Sequence, residues 1–236
     1  VLVCGRTAER EEMASAVRHL GGRSAYLHGF QMNATHVIVK DLRRTEKFLC
    51  ACAAGRWILK PVYIESCKIN NEWLQEQSFE WNNARKIDKD QKDLWHGAPR
   101  RWRQYWEQKG AGPFAEFKCL LMPECHPPHD VLEKIVSAGS GHVVIQKEEP
   151  TLAQVRKHCS QGVTHVVVAE TCDASISKWL HENRVPYFKG EYVMDFLAHK
   201  NAPSFSDPFY KPEVLDHGGA SGARARASKS PSDGAR

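Results

Sequence analysis

The sequence predicts an α/β fold built twice: two similar units, each a small, mostly parallel four-stranded sheet flanked by helices, joined by a helical linker. Three observations carry this expectation. The pentapeptide THVIV at residues 35–39 recurs as THVVV at 164–168, 129 residues further on. In that register Leu59 falls on Phe188, Lys60 on Lys189, Tyr63 on Tyr192 and Ile64 on Val193, so the match runs from Thr35 past Tyr63 without a gap. Around each copy, short β-branched runs alternate with segments of helical period in the order βαββαβα, a pattern of crossovers that favours parallel strands.

In the first unit, residues 1–81, LVC reads as a strand and Thr7 as a helix cap, followed by Met13, Ala16, Val17 and Leu20 at helical spacing and a Gly21-Gly22 stop. A strand is expected around Ser24 to Leu27, then THVIV. Thr45 is placed to cap a helix carrying Phe48, Leu49 and Cys52 that ends at Gly55. WIL makes a further strand, and Pro61 suits the first residue of a closing helix with Tyr63, Ile64 and Cys67.

The second unit, residues 113–206, repeats the order with FKCLL, a helix from about Asp130 through Leu132, Ile135 and Val136, then HVVI and THVVV. A helix with Ile176, Trp179 and Leu180, the strand VPYF and the closing helix EYVMDFLAHK complete it. Leu152 and Val155 suggest a helical insert in the longer segment 146–162. Between the units, residues 82–112 begin polar and turn helical near Pro99, with Trp102, Tyr105 and Trp106 on one stripe; this reads as a bracket packing against both units. Residues 207–236 hold almost no large apolar side chain and read as a disordered tail.

The 236 residues are 42% hydrophobic and 26% charged, enough for two modest cores. No apolar run reaches the roughly 18 residues that span a bilayer, so no membrane partner is expected. The chain does not begin with Met and is expected to be a fragment. Its eight cysteines form no CxxC, which points to a reduced, intracellular protein. The basic excess lies in the middle: residues 82–112 hold eight basic and four acidic side chains, whereas 113–206 hold nine and eleven.

The combination ATHVIV, TEKFLCACAAGRWIL, PVYIESC, WLQEQSFEW and the linker's APRRWR before GAGPF resembles a tandem BRCT pair over residues 1 to about 206; in the second repeat it rests mainly on THVVV and EYVMDFL. The resemblance implies a non-enzymatic scaffold module that reads phosphoserine or phosphothreonine peptides of DNA-repair or checkpoint proteins in the nucleus. No cofactor and no small-molecule substrate are implied. The family's phosphate pocket usually takes a Ser or Thr hydroxyl and a Gly amide after the first strand, and a lysine in the first turn of the second helix. The matching positions are Cys4, Gly5 and Lys47, with Thr7 as a second source of a hydroxyl. A cation, a free backbone N–H and a helix N-terminus together stabilise a dianion. Cys4 departs from the pattern, because a thiol is a weak donor. The family's peptide groove between repeats implies roles for Arg44, for Glu191 and Asp195 as its acidic partners, and for Val193 and Met194 as lining.

Other chemistries compete. Cys125, His126 and His129, with Cys119 nearby, offer metal-ligand types, yet no second pair has zinc-finger spacing, so no metal is expected. Arg100, Arg101 and Arg103 beside Trp106 suit a weak accessory DNA contact. Thr35-His36 and Thr164-His165 invite a catalytic reading, but two copies at the start of buried strands fit backbone satisfaction better. With no Gly-rich phosphate loop and no nucleophile elbow, an enzyme is not expected.

Overall fold

A computed structural model describes residues 1–4, 7–25, 29–81, 95, 97–169 and 172–198. The first repeat runs β1 (Leu2–Val3), α1 (Thr7–His19), β2 (His36–Ile38), α2 (Glu46–Ala53), β3 (Trp57–Leu59) and α3 (Val62–Asn70), followed by a single 3-10 turn at Glu76–Ser78. The linker supplies α4 (Ala98–Lys109). The second repeat runs β4 (Lys118–Leu121), α5 (His129–Ala138), β5 (His142–Ile145), α6 (Leu152–Ser160), β6 (His165–Val168), α7 (Ala174–Glu182), β7 (Tyr187–Lys189) and α8 (Glu191–Ala198).

The named strands pair with one another in parallel, and one isolated antiparallel bridge joins Leu59 of β3 to Glu80. The second sheet has the order β5-β4-β6-β7, as expected for four strands. The first shows β1-β2-β3, and of the strand expected at 24–27 the described residues show one parallel bridge, Ala25 to Leu2. Residues 26–28 lie outside the description, as do the polar start of the linker, the end of the last predicted helix and the tail 207–236. The duplication is built into the pairing itself. Val37 pairs with Ile58 in the first sheet and Val166 with Tyr187 in the second, both partners displaced by the same 129 residues. Strands covered by helices on both faces lose their polar alternation, which is why HVI and HVVV read as unbroken apolar runs.

Helix α2 shows how local chemistry sets the architecture. Thr45 caps it with extended backbone (φ −91°, ψ 151°), its Oγ1 accepting the Phe48 N–H at 3.4 Å. Six successive residues, Phe48 to Ala53, are then buried. A helix apolar on every side must be covered on every side. Here the first sheet takes one face, and α5, α8 and α4 take the others, so α2 forms the seam between repeats. The expected insert over 152–160 is α6, held by a capping box between Thr151 and Gln154. Pro61 differs by one position from expectation: it sits at the cap of α3 with helical φ of −54°.

Helix α4 brackets the two repeats with polar anchors at both ends of an aromatic stripe. The indole N–H of Trp106 donates to Ala53 O at the end of α2 (2.6 Å), and that of Trp102 donates to Leu197 O in α8 (2.7 Å). Trp102 is fully buried and stacks on Phe196 at 5.7 Å. Gly55 lets α4 approach: its φ is +61°, and a Cβ there would stand 2.3 Å from Trp106 Cδ1. Arg103 completes the bracket, donating Nε and Nη2 to the two oxygens of Glu80 at 2.9 and 3.0 Å while lying 3.6 Å over the Trp57 ring.

Candidate phosphate site and inter-repeat groove

Pieces of the first repeat converge near the end of β1. Cys4 follows that strand, its N–H donating to Ile38 O at 2.9 Å. Lys47 lies in the first turn of α2, half-buried, behind the Thr45 cap. Thr7 is the first residue of α1, and Gly5 lies outside the described residues. Burial pushes the Cys4 thiol up, while the charges of Lys47 and then Arg10 pull it down. Arg10 was not singled out in the sequence. Its Nε is buried without a hydrogen-bond partner, a donor held beside the site. The one available signal was its place one turn into α1 behind Thr7.

A cleft of about 620 Å³ opens here, lined by Cys4, Lys40, Arg43, Thr45 and Phe48 among others. Glu9 and Asp41 also line it, but each faces a cation, Lys40 at 2.5 Å and Arg43 at 3.0 Å. The first turn of α2 starts beside these cations, its Phe48 N–H taken by Thr45 Oγ1. The equivalent helix of the second repeat differs in kind. The α7 cap is Asp173, whose carboxylate accepts the N–H of Ser175 (2.7 Å) and Ile176 (3.2 Å). A bond from the Ser175 hydroxyl and those two amide bonds hold the Asp173 carboxyl below the usual carboxylate range. The second repeat thus carries its own anion where the first carries a neutral threonine.

Across the seam, Arg44 pairs with Asp195 of α8 at 3.1 Å, both partly exposed, while Glu191 stands one turn earlier on α8 and is not its partner. Lys134 of α5 reaches Glu46 at 3.0 Å and Asp130 at 3.3 Å. The groove lining needs correction. Val193 is 0% exposed and Met194 8%, both in the shared core where α8 packs against α2, α4 and α5, whereas Asp195 is exposed. Val193 therefore packs and offers no surface to a peptide.

The expected arginine contact with nucleic acid is also corrected in part. Arg103 is 7% exposed and its guanidinium is taken by Glu80 and Glu107. Burial alone would lower its pKa, and the bonds and charges of those two acids more than offset that. Arg101 donates to Leu197 O at 3.1 Å, and burial brings it down to about 10. Arg100 alone of the three is exposed.

The repeated Thr-His pairs act as strand anchors. Thr164 Oγ1 accepts the Lys118 N–H at 2.8 Å and lies 2.8 Å from His165 Nδ1. His165 stacks on Phe117 at 3.9 Å, and burial brings its pKa down to about 4. Thr35 and His36 share the same contact at 2.7 Å, and His36 Nε2 meets Glu76 at 3.1 Å. Cys125 donates to the carbonyls of Met122 and Val167, and His129 Nε2 lies 2.7 Å from Met122 O; among the described residues no three potential ligands converge as a metal site. All eight cysteines are free thiols, and no described helix is long and apolar enough to cross a membrane.

Two parallel-sheet repeats sharing a helical seam, with a charged cleft at the start of α2, define a class: the chain has the fold of a tandem BRCT pair, and residues 4–81 match the Regulator of Ty1 transposition protein 107 BRCT domain. Among curated proteins it is 33% identical over 178 residues to the SMC5-SMC6 complex localization factor protein 1 of Homo sapiens, spanning 74% of this chain and 16% of that one. It is 32% identical over 202 residues to a BRCT domain-containing protein of Arabidopsis thaliana, spanning 84% of this chain and 15% of that one. The chain therefore covers only about a sixth of the length of these relatives. The BRCT5-BRCT6 domains of S. pombe Brc1 superpose with a TM-score of 0.64 at 14% identity, covering 90% of this chain and 96% of that one. Rtt107p, solved in complex with a phosphorylated histone, superposes with a TM-score of 0.51 at 13% identity, covering 87% and 89%.

Proposed function

We propose that this tandem BRCT pair is a nuclear scaffold module that docks phosphoserine or phosphothreonine peptides of DNA-repair and checkpoint proteins. The observation that carries the reading is the cleft lined by Cys4, Lys40, Arg43 and Thr45 at the start of α2, with Lys47 in the first turn of that helix. Two cations and a helix start supply charge-assisted bonds to a dianion, and Gly5 would add the amide that the family uses. Arg44, held by Asp195 at the seam, would orient the peptide backbone leaving the pocket. The complex of Rtt107p with a phosphorylated histone and the name of the SMC5-SMC6 localization factor support a phosphate-reading role in genome maintenance. A few such bonds, after ordering costs, correspond to micromolar affinity, about −8 kcal/mol.

The test is a phosphopeptide-library pulldown, repeated after phosphatase and with Lys47→Ala. Retention should disappear in both controls. Equal capture of phosphorylated and plain peptides would overturn the proposal. It would favour instead a phosphate-independent interaction module, the reading that the Cys4 thiol supports.

A further inference from the structure

We propose that Thr45 is a phosphorylation site, and that its phosphate folds back into the cleft lined by Cys4, Lys40 and Arg43 and closes it to outside phosphopeptides. This rests on the phosphate-binding reading above. Thr45 is exposed, and the segment 41–45 forms neither helix nor strand. Its backbone is extended, and Arg43 and Arg44 directly precede it. That is the form in which an arginine-directed Ser/Thr kinase takes a hydroxyl: extended, accessible and with basic residues on its N-terminal side. In the transfer, Thr45 Oγ1 attacks the γ-phosphorus of ATP. The Oγ1–P bond forms, the P–O bond to ADP breaks, the hydroxyl proton passes to the kinase's base, and ADP leaves.

The fate of that phosphate follows from what surrounds it. The Thr45 side chain already lines the 620 Å³ cleft together with Cys4, Lys40 and Arg43. Arg10, Lys40, Arg43, Arg44 and Lys47 lie on or next to the cleft against Glu9, Asp41, Glu46 and Asp195, five cations to four acids. All four acids already face a cation, in Lys40, Arg43, Lys134 and Arg44 respectively. A dianion at a helix start beside arginines gains charge-assisted bonds instead of suffering repulsion. The molecule also holds a precedent: at the equivalent cap of α7 the carboxylate of Asp173 sits on two backbone N–H groups. Phosphorylated Thr45 would give the first repeat the self-supplied anion that the second repeat has permanently.

The full chain is treated with Mg-ATP and an arginine-directed kinase, and the modified residue is located by mass spectrometry. Affinity is then measured by fluorescence anisotropy with a phosphothreonine peptide retained in the library pulldown. Phosphorylation should weaken binding about tenfold or more. Thr45→Asp should weaken it as well, and more than Thr45→Asn, an equally good but neutral cap. Failure of the kinase to modify Thr45, or equal affinity before and after modification, overturns the inference. If the unmodified chain captures no phosphopeptide, the binding proposal fails. The inference is then judged by melting temperature, which phosphorylation should raise in the native chain and raise less in Lys47→Ala; equal rises overturn it.

Discussion

Replacing Glu80 by Gln tests the bracket that joins the repeats. The carboxylate is 0% exposed and takes both arms of the Arg103 fork, while the guanidinium, 9% exposed at the side chain, lies against Trp57. The substitution keeps the shape and removes the charge, leaving a cation in a site closed to water. Breaking a buried pair from one side costs about 3–5 kcal/mol. Glu107 still holds Nη1 at 2.7 Å, but it is 59% exposed and screened, so the low end, about 3 kcal/mol, is the expected loss. For a chain of this size that lowers the melting temperature by about 6–12 °C. Urea unfolding and a thermal scan read it directly. The double variant Glu80→Gln with Arg103→Met removes the stranded charge and should recover most of the loss, because an apolar replacement of a buried pair is often neutral. A loss under about 1 kcal/mol in the single variant, or no recovery in the double, would show that the pair does not hold α4.

Three further outcomes are expected. Gly55→Ala combines left-handed backbone with a Cβ 2.3 Å from Trp106, so it should push α4 off α2 and cost upward of about 2 kcal/mol in urea unfolding. His165 has its folded pKa lowered from 6.5 to about 4, so its neutral form is favoured by folding; stability should be full above pH 6.5 and fall by about 3 kcal/mol as the pH drops toward 4. A His165→Asn chain should show a flatter pH profile across that window. Cys4→Ser supplies a stronger donor to a bound phosphate, and titration should find phosphopeptide affinity raised by roughly 10–100-fold, the equivalent of about 1.5–3 kcal/mol.

The fold was legible where local chemistry and burial agree. Thr45 announces α2, the run FLCACA announces a helix buried on all sides, and the 129-residue register announces the shared strand pairing. What escaped depends on partners distant in sequence. Arg103 reads as part of an accessory DNA contact until Glu80, 23 residues earlier, is seen to face it. Val193 reads as groove lining because it lies between Glu191 and Asp195 in sequence, and only packing shows that it is hidden. Arg10 joins Cys4 only once β1 and α1 are folded against each other, and no motif marks an arginine one turn into a helix.

The two indole bonds of α4 fasten to different repeats, Trp106 to the last turn of α2 and Trp102 to that of α8. The linker therefore works as a caliper locked at one opening. The separation of the repeats is thereby set by α4, at a distance that neither repeat specifies alone.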